Sequence, residues 1–154
     1  MKLESAAFAE GGTIPERYTC SGDDVSPPLA IRGVPKEAKS LVLICDDPDA
    51  PAGTWTHWLI WNLDPKLGLL PEAIVKAQFA LGGSAAQGVN DFGRVGYGGP
   101  CPPPGKPHRY FFRLFALNSS IKLAPGATRA QLEKAIKGLV VDEAFLMGRF
   151  GRKG

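Results

Sequence analysis

His108-Arg109-Tyr110-Phe111-Phe112-Arg113-Leu114-Phe115-Ala116-Leu117 is the stretch on which the fold turns. Side chains alternate across a strand, so His108, Tyr110, Phe112, Leu114 and Ala116 share one face. Arg109, Phe111, Arg113, Phe115 and Leu117 share the other. Large residues on both faces predict a central strand covered on both sides, with the arginines near an edge or a partner. The alternation sets His108 and Tyr110 side by side.

Immediately before this strand lies Gly93–Pro107, which holds Gly96, Gly98, Gly99 and Gly105 among Pro100, Pro102, Pro103, Pro104 and Pro107. Glycines let backbone N–H groups approach a ligand as an anion-binding nest, and prolines hold such a loop in place. No G-K-[ST] follows and no helix begins there, so it is not a P-loop. Asp91-Phe92-Gly93 spells the kinase magnesium tripeptide, but the chain is too short for a kinase and lacks the H-R-D-type loop.

The same arrangement stands earlier in other letters. Ser40–Cys45 is an almost unbroken apolar run, predicted as a second central strand. Asp46-Asp47-Pro48-Asp49-Ala50-Pro51 follows it, and His57–Leu63 is the next strand. Alternation groups His57, Leu59, Trp61 and Leu63 against Trp58, Ile60 and Asn62. The prolines restrict the loop and hold its carboxylates, and Ala50-Pro51 is a candidate cis bond. The chain has two histidines, and each opens a strand directly after a stiff polar loop. If the loops meet, they enclose carboxylates, imidazoles, a phenol and free N–H groups, a place for an anionic or zwitterionic headgroup. A carboxylate beside an imidazole favours imidazolium, which would donate to a phosphate oxygen. Asp47 would repel a bare anion and suit a ligand carrying a proton or an ammonium.

The remainder of the chain is consistent with a β protein. Phe8–Pro15 reads as a short strand and turn, Leu29–Ile31 as a strand and Ala144–Phe150 as a final strand, while Leu70–Phe79 is ambiguous. Thr128–Gly138 is the one strong helix, opened by the capping box Thr128…Gln131. Nineteen glycines and fourteen prolines in 154 residues exceed the average share of about 12% and sit between apolar runs. No repeat or linker divides the chain, so residues 1–154 are expected to form a single domain. The net charge of +3 owes part of its excess to Arg149, Arg152 and Lys153, without the basic, aromatic-laced stripe that nucleic acid requires. No apolar run reaches the ~18 residues of a membrane span, and Met1–Ser5 has no stretch of signal-peptide length. A cytoplasmic location is therefore expected.

Two chemistries, nucleophilic catalysis and metal-assisted hydrolysis, compete with simple binding. Cys20, Cys45 and Cys101 cannot all pair within one chain and show no CxxC spacing, which argues against a disulfide framework and a zinc knuckle. Cys45 is expected to be a buried free thiol. Cys101 could approach a histidine as a nucleophile, but no elbow motif supports it. His57, His108 and one Asp allow a two-His, one-carboxylate metal site without diagnostic spacing, the basis for a metal-assisted hydrolase.

In order, D-P-D-A-P, T-H-W-L-I-W-N-L, and D-F-G…G-Y-G-G-P-C-P-P-P-G-K-P-H-R-Y-F-F-R-L-F-A-L resemble the phosphatidylethanolamine-binding protein family, most closely its short bacterial and archaeal, Raf-kinase-inhibitor-like branch. The early S-P-P-L and the final helix and strand extend the resemblance over nearly the whole chain. It implies a mainly β sandwich: a large central sheet, a smaller sheet against it, and few peripheral helices. It implies a pocket for phosphate or phosphoethanolamine-like groups, without cofactor, metal or turnover. By motif, Asp47 and His57 line that pocket, Pro51 shapes its wall, and Asp49 lies nearby, holding the loop. His108 and Tyr110 match the H-R-Y positions, and Gly98, Gly99 and Pro100 the lip. The resemblance further implies regulation of a partner protein of kinase or protease type, with a homodimer as in several small members. The alternative function is a serine protease inhibitor acting through a surface loop. The cysteine and extra prolines of G-G-P-C-P-P-P-G depart from the family pattern.

Overall fold

The computed structural model describes residues 1–153 and is built from two antiparallel sheets and one helix. Three strands, β1 (Lys2–Glu4), β2 (Leu29–Arg32) and β5 (Leu69–Leu70), form the small sheet in the order β1-β2-β5. The large sheet runs β6-β7-β4-β3-β8-β9. Its strands are β3 (Ser40–Asp47), β4 (Trp55–Leu63), β6 (Phe79–Ala80), β7 (Ala85–Gln87), β8 (His108–Leu117) and β9 (Val140–Phe150).

β3 is central, with β4 on one side and β8 on the other, and every one of its residues is buried. Its unbroken apolar letters follow from that position: both faces are covered. One face carries Leu41, Leu43 and Cys45 into the core between the sheets, where they meet Trp58, Ile60, Tyr110 and Phe112 with Leu3, Leu29, Ile31 and Leu70 of the small sheet. The other face carries Val42 and Ile44 toward Leu132 and Ile136 of helix α1 (Arg129–Ile136). The expected capping box at Thr128 and Gln131 is complete in both directions.

Three expectations need correction. β4 does not alternate cleanly, because register shifts opposite Leu41/Leu43 and Cys45/Asp46 interrupt it. Asn62, at φ 57°, lies at the first, so Leu63 joins Trp58 and Ile60 between the sheets while Leu59 and Trp61 face the helix. Phe8–Pro15 forms no strand of its own. It instead satisfies the outer edge of β9: Gly11 N–H donates to Met147 O (2.7 Å), Ile14 N–H to Arg149 O (2.8 Å), and Arg149 N–H to Gly12 O (2.8 Å). No peptide bond among the described residues is cis, Ala50-Pro51 included.

Candidate functional site

The second bulge of β4 decides where His57 goes. Across from it, Cys45 pairs with Trp58 but Asp46 pairs with Thr56, so His57 is the extra residue. Unpaired, its ring leaves the face of Leu59 and Trp61 and packs edge-on against Tyr110, with centroids 5.3 Å apart. The strand ends thus bring Asp47, His57, His108 and Tyr110 to one place, through a bulge that strict alternation misses.

These side chains line a cavity of about 160 Å³ together with Ala50, Pro51, Trp55, Phe92 and the loop residues Cys101, Pro102 and Pro103. The polar partners inside differ from those expected. Asp47, 3% exposed, pairs with His108 rather than His57: His108 Nδ1 lies 2.6 Å from Asp47 Oδ2. The other carboxylate oxygen accepts from Asp49 N–H at 2.7 Å, which holds the Asp-Pro-Asp loop. His57 Nδ1 lies 2.6 Å from Gly98 O. A carbonyl only accepts, so Nδ1 carries the proton and Nε2 remains the free nitrogen. Burial lowers the His57 pKa, only partly opposed by the Gly98 carbonyl and by Asp47. Burial thus favours the neutral imidazole over the imidazolium expected at this position.

Two residues that line the cavity each carry an enclosed polar atom with no hydrogen-bond partner in the protein: Tyr110 Oη and Trp55 Nε1. An orphaned buried donor is expensive, and few are found in native structures. Burial, reinforced by Asp47, pushes the Tyr110 phenol far above its ordinary range, so it is a neutral donor.

The remaining expected residues sit outside the cavity. Asp49 is turned to an open groove on the far side of His108 and makes a bidentate pair with Arg109 (2.9 and 2.8 Å). The Arg109 guanidinium lowers its pKa to about 2. Gly98, Gly99 and Pro100 line no part of it, and the expected nest of free N–H groups is spent internally. Gly98 N–H donates to His57 O, Gly99 N–H to Asp24 Oδ1, and Pro100 O accepts from Cys20 N–H. The glycines serve close approach instead: a Cβ on Gly99 would lie 2.4 Å from Tyr18 O, and one on Gly98 2.7 Å from the Phe92 ring.

Trp55, Phe92, Ala50, Cys101, Pro102 and Pro103 escaped the sequence reading as wall residues. Trp55 and Phe92 flank the readable motifs. Phe92 belongs to the tripeptide set aside as a kinase coincidence: Asp91 Oδ2 accepts from Thr56 N–H at 2.6 Å, and the Phe92 ring meets His57 and Trp55 edge-on. The cysteine reading also changes. Cys20 and Cys101 are joined in a disulfide, while Cys45 is free and buried. Three cysteines permit one pair, and 81 residues of separation hid this one from local spacing rules. No group of three His, Cys, Asp or Glu side chains among the described residues is arranged to hold a metal ion.

The comparisons agree on one family. Residues 4–151 match the family model described as phosphatidylethanolamine-binding protein. The UPF0098 protein of Methanothermobacter thermautotrophicus is 52% identical over 152 residues, 99% of each chain. A Chlamydia trachomatis crystal structure described as a phosphatidylethanolamine-binding protein homolog superposes with TM-score 0.88 at 42% identity, over 99% of this chain and 97% of that one. YbcL of E. coli, described as a member of the mammalian PEBP family, gives TM-score 0.91 at 30% identity, over 99% and 98%.

Proposed function

Since the chain belongs to the phosphatidylethanolamine-binding protein family, we propose that it is a non-enzymatic binding protein whose small pocket takes a phosphate-like or phosphoethanolamine-like group. The observation that carries this reading is that Tyr110 and Trp55, whose Oη and Nε1 have no hydrogen-bond partner in the protein, line the same cavity as both histidines. Buried donors without partners await an acceptor, and oxyanion oxygens supply several. The neutral His57 offers a lone pair at Nε2, which suits a protonated oxyanion oxygen. Asp47, already accepting from His108, adds a negative charge that favours a ligand bearing a proton or an ammonium over a bare anion.

Cys101, the one thiol near the pocket that could have served as a nucleophile, is held in its disulfide. Regulation of a partner protein would be the output of occupancy, through the loops that close the pocket. The test is an amide NMR titration with phosphoethanolamine and with inorganic phosphate, repeated on Tyr110→Phe. Saturable shifts at Asp47, His57 and Tyr110, weakened about tenfold in the variant, are expected for a hydrogen bond to a charged group. Shifts elsewhere, or an unchanged Kd in the variant, would overturn the assignment.

A further inference from the structure

The Gly/Pro loop is poor in the groups that ordinarily hold a loop, since Pro100, Pro102, Pro103, Pro104 and Pro107 bring no N–H. Its first half is fixed instead by attachment to Tyr18–Asp24. Tyr97 Oη donates to Tyr18 O (2.6 Å), Gly99 N–H to Asp24 Oδ1 (2.7 Å), and Cys20 N–H to Pro100 O (3.1 Å). The Cys20–Cys101 bond lies among these three contacts. The segment so held is the one that supplies Cys101, Pro102 and Pro103 to the pocket wall and, from Gly98, the carbonyl that orients His57. Cys101 also faces a neighbouring cleft of about 660 Å³, so with Phe92 it stands in the partition between two cavities. Cys20 is exposed and Cys101 half-buried, which leaves the bond open to attack from solvent.

We infer that the Cys20–Cys101 bond is a redox-sensitive lock on the pocket: its reduction by a dithiol frees the wall and weakens anion binding, an inference that rests on the binding reading above. A reductant thiolate attacks Sγ of Cys20, the S–S bond breaks, and its electron pair leaves on Cys101 Sγ, which takes a proton. The reductant's second thiol then resolves the mixed disulfide. Cys20 and Cys101 end as thiols and the dithiol as a disulfide, two electrons and two protons having moved. Cys45 takes no part, being fully enclosed. Coupling is reciprocal, so a bound anion that needs the closed wall must resist reduction by the factor that reduction weakens its binding.

The test compares oxidised and dithiol-reduced protein, with the two new thiols counted by alkylation and mass. Amide exchange at Cys20, Gly98 and Gly99 should quicken at least tenfold on reduction, within a labelling time over which Leu43 and Phe112 stay protected. The Kd for inorganic phosphate should rise at least fivefold on reduction and equally in Cys20→Ser/Cys101→Ser. Saturating phosphate should displace the thiol–disulfide equilibrium by that same factor. Unchanged exchange at the three loop amides, or an unchanged Kd in protein shown to be reduced, overturns the lock. Loss of protection at Leu43 and Phe112 as well would mean global unfolding and overturns it equally. Failure of the oxidised protein to bind phosphate overturns the functional reading and the binding half of this one, while the exchange rates still decide whether the bond holds the wall.

Discussion

Tyr110 Oη is fully enclosed and unbonded, which makes an unusual prediction about stability. Replacing an unsatisfied polar group by an apolar one of the same shape is neutral or stabilising. Tyr110→Phe should therefore leave the thermal midpoint unchanged or raised while it weakens anion binding. A loss above about 1 kcal/mol would show that the hydroxyl is bonded in the free protein. His57 carries the pH dependence. Its pKa is lowered by burial, so protonation is disfavoured in the free fold, and an anion at Nε2 would raise it again. Binding then takes up a proton, and affinity should strengthen as pH falls from the bound-state pKa toward the free-state one. An isothermal titration series in buffers of different ionisation enthalpy would read that uptake; none at any pH would contradict a role for Nε2. The same depression means that His57 favours folding fully above the unfolded value of about 6.5, and less as pH falls below it. Asp49 behaves alike at lower pH. Held to about 2 by Arg109, it contributes fully above the unfolded carboxyl value and loses its contribution as pH falls through 2. Because Arg109 is half-exposed, the contribution is at most about 1 kcal/mol.

At the scale of elements, the helix is tied to the sheet by charge as well as by Leu132 and Ile136. Asp46, 1% exposed, accepts from Arg113 (3.0 Å at each carboxylate oxygen) and pairs with Arg129 at 2.9 Å. Arg129 also donates to Thr56 at 3.2 Å. Arg129→Ala should cost about 1–2 kcal/mol by chemical denaturation, since Asp46 keeps Arg113 as a partner. The arginines of β8 thus find the partners that their letters demanded. Gly98→Ala tests the pocket wall in the same way. Its Cβ would press on the Phe92 ring, which packs on His57, so anion binding should weaken several-fold even where the fold survives. The central strands were legible because both their faces are apolar. The short strands β1, β5, β6 and β7 were not, since two or three residues carry no period to read. Nor was the bulge at His57, because a register shift is set by the neighbouring strand and not by the strand's own letters.

Over the whole molecule, the disulfide closes a span of 81 residues and joins an early loop to a late one. By loop-closure entropy, cleaving it should lower stability by about 4–5 kcal/mol. Denaturant midpoints of the oxidised protein and Cys20→Ser/Cys101→Ser would measure this; equal midpoints would show that the bond does not restrict the unfolded chain as loop closure requires. No helix among the described residues is long and apolar enough to cross a membrane. The sequence alone determined the central strands and the helix with its cap, because period and capping are local properties of the chain, while the sandwich and the grouping of Asp47, His57, His108 and Tyr110 were legible only through the family resemblance. Only the tertiary structure decided that Asp47 serves His108, that burial favours the neutral form of His57, that the glycine N–H groups are already spent, and that Cys20 meets Cys101. Each of those depends on which distant backbone atom arrives within hydrogen-bonding or bonding distance, and no spacing along one chain specifies that.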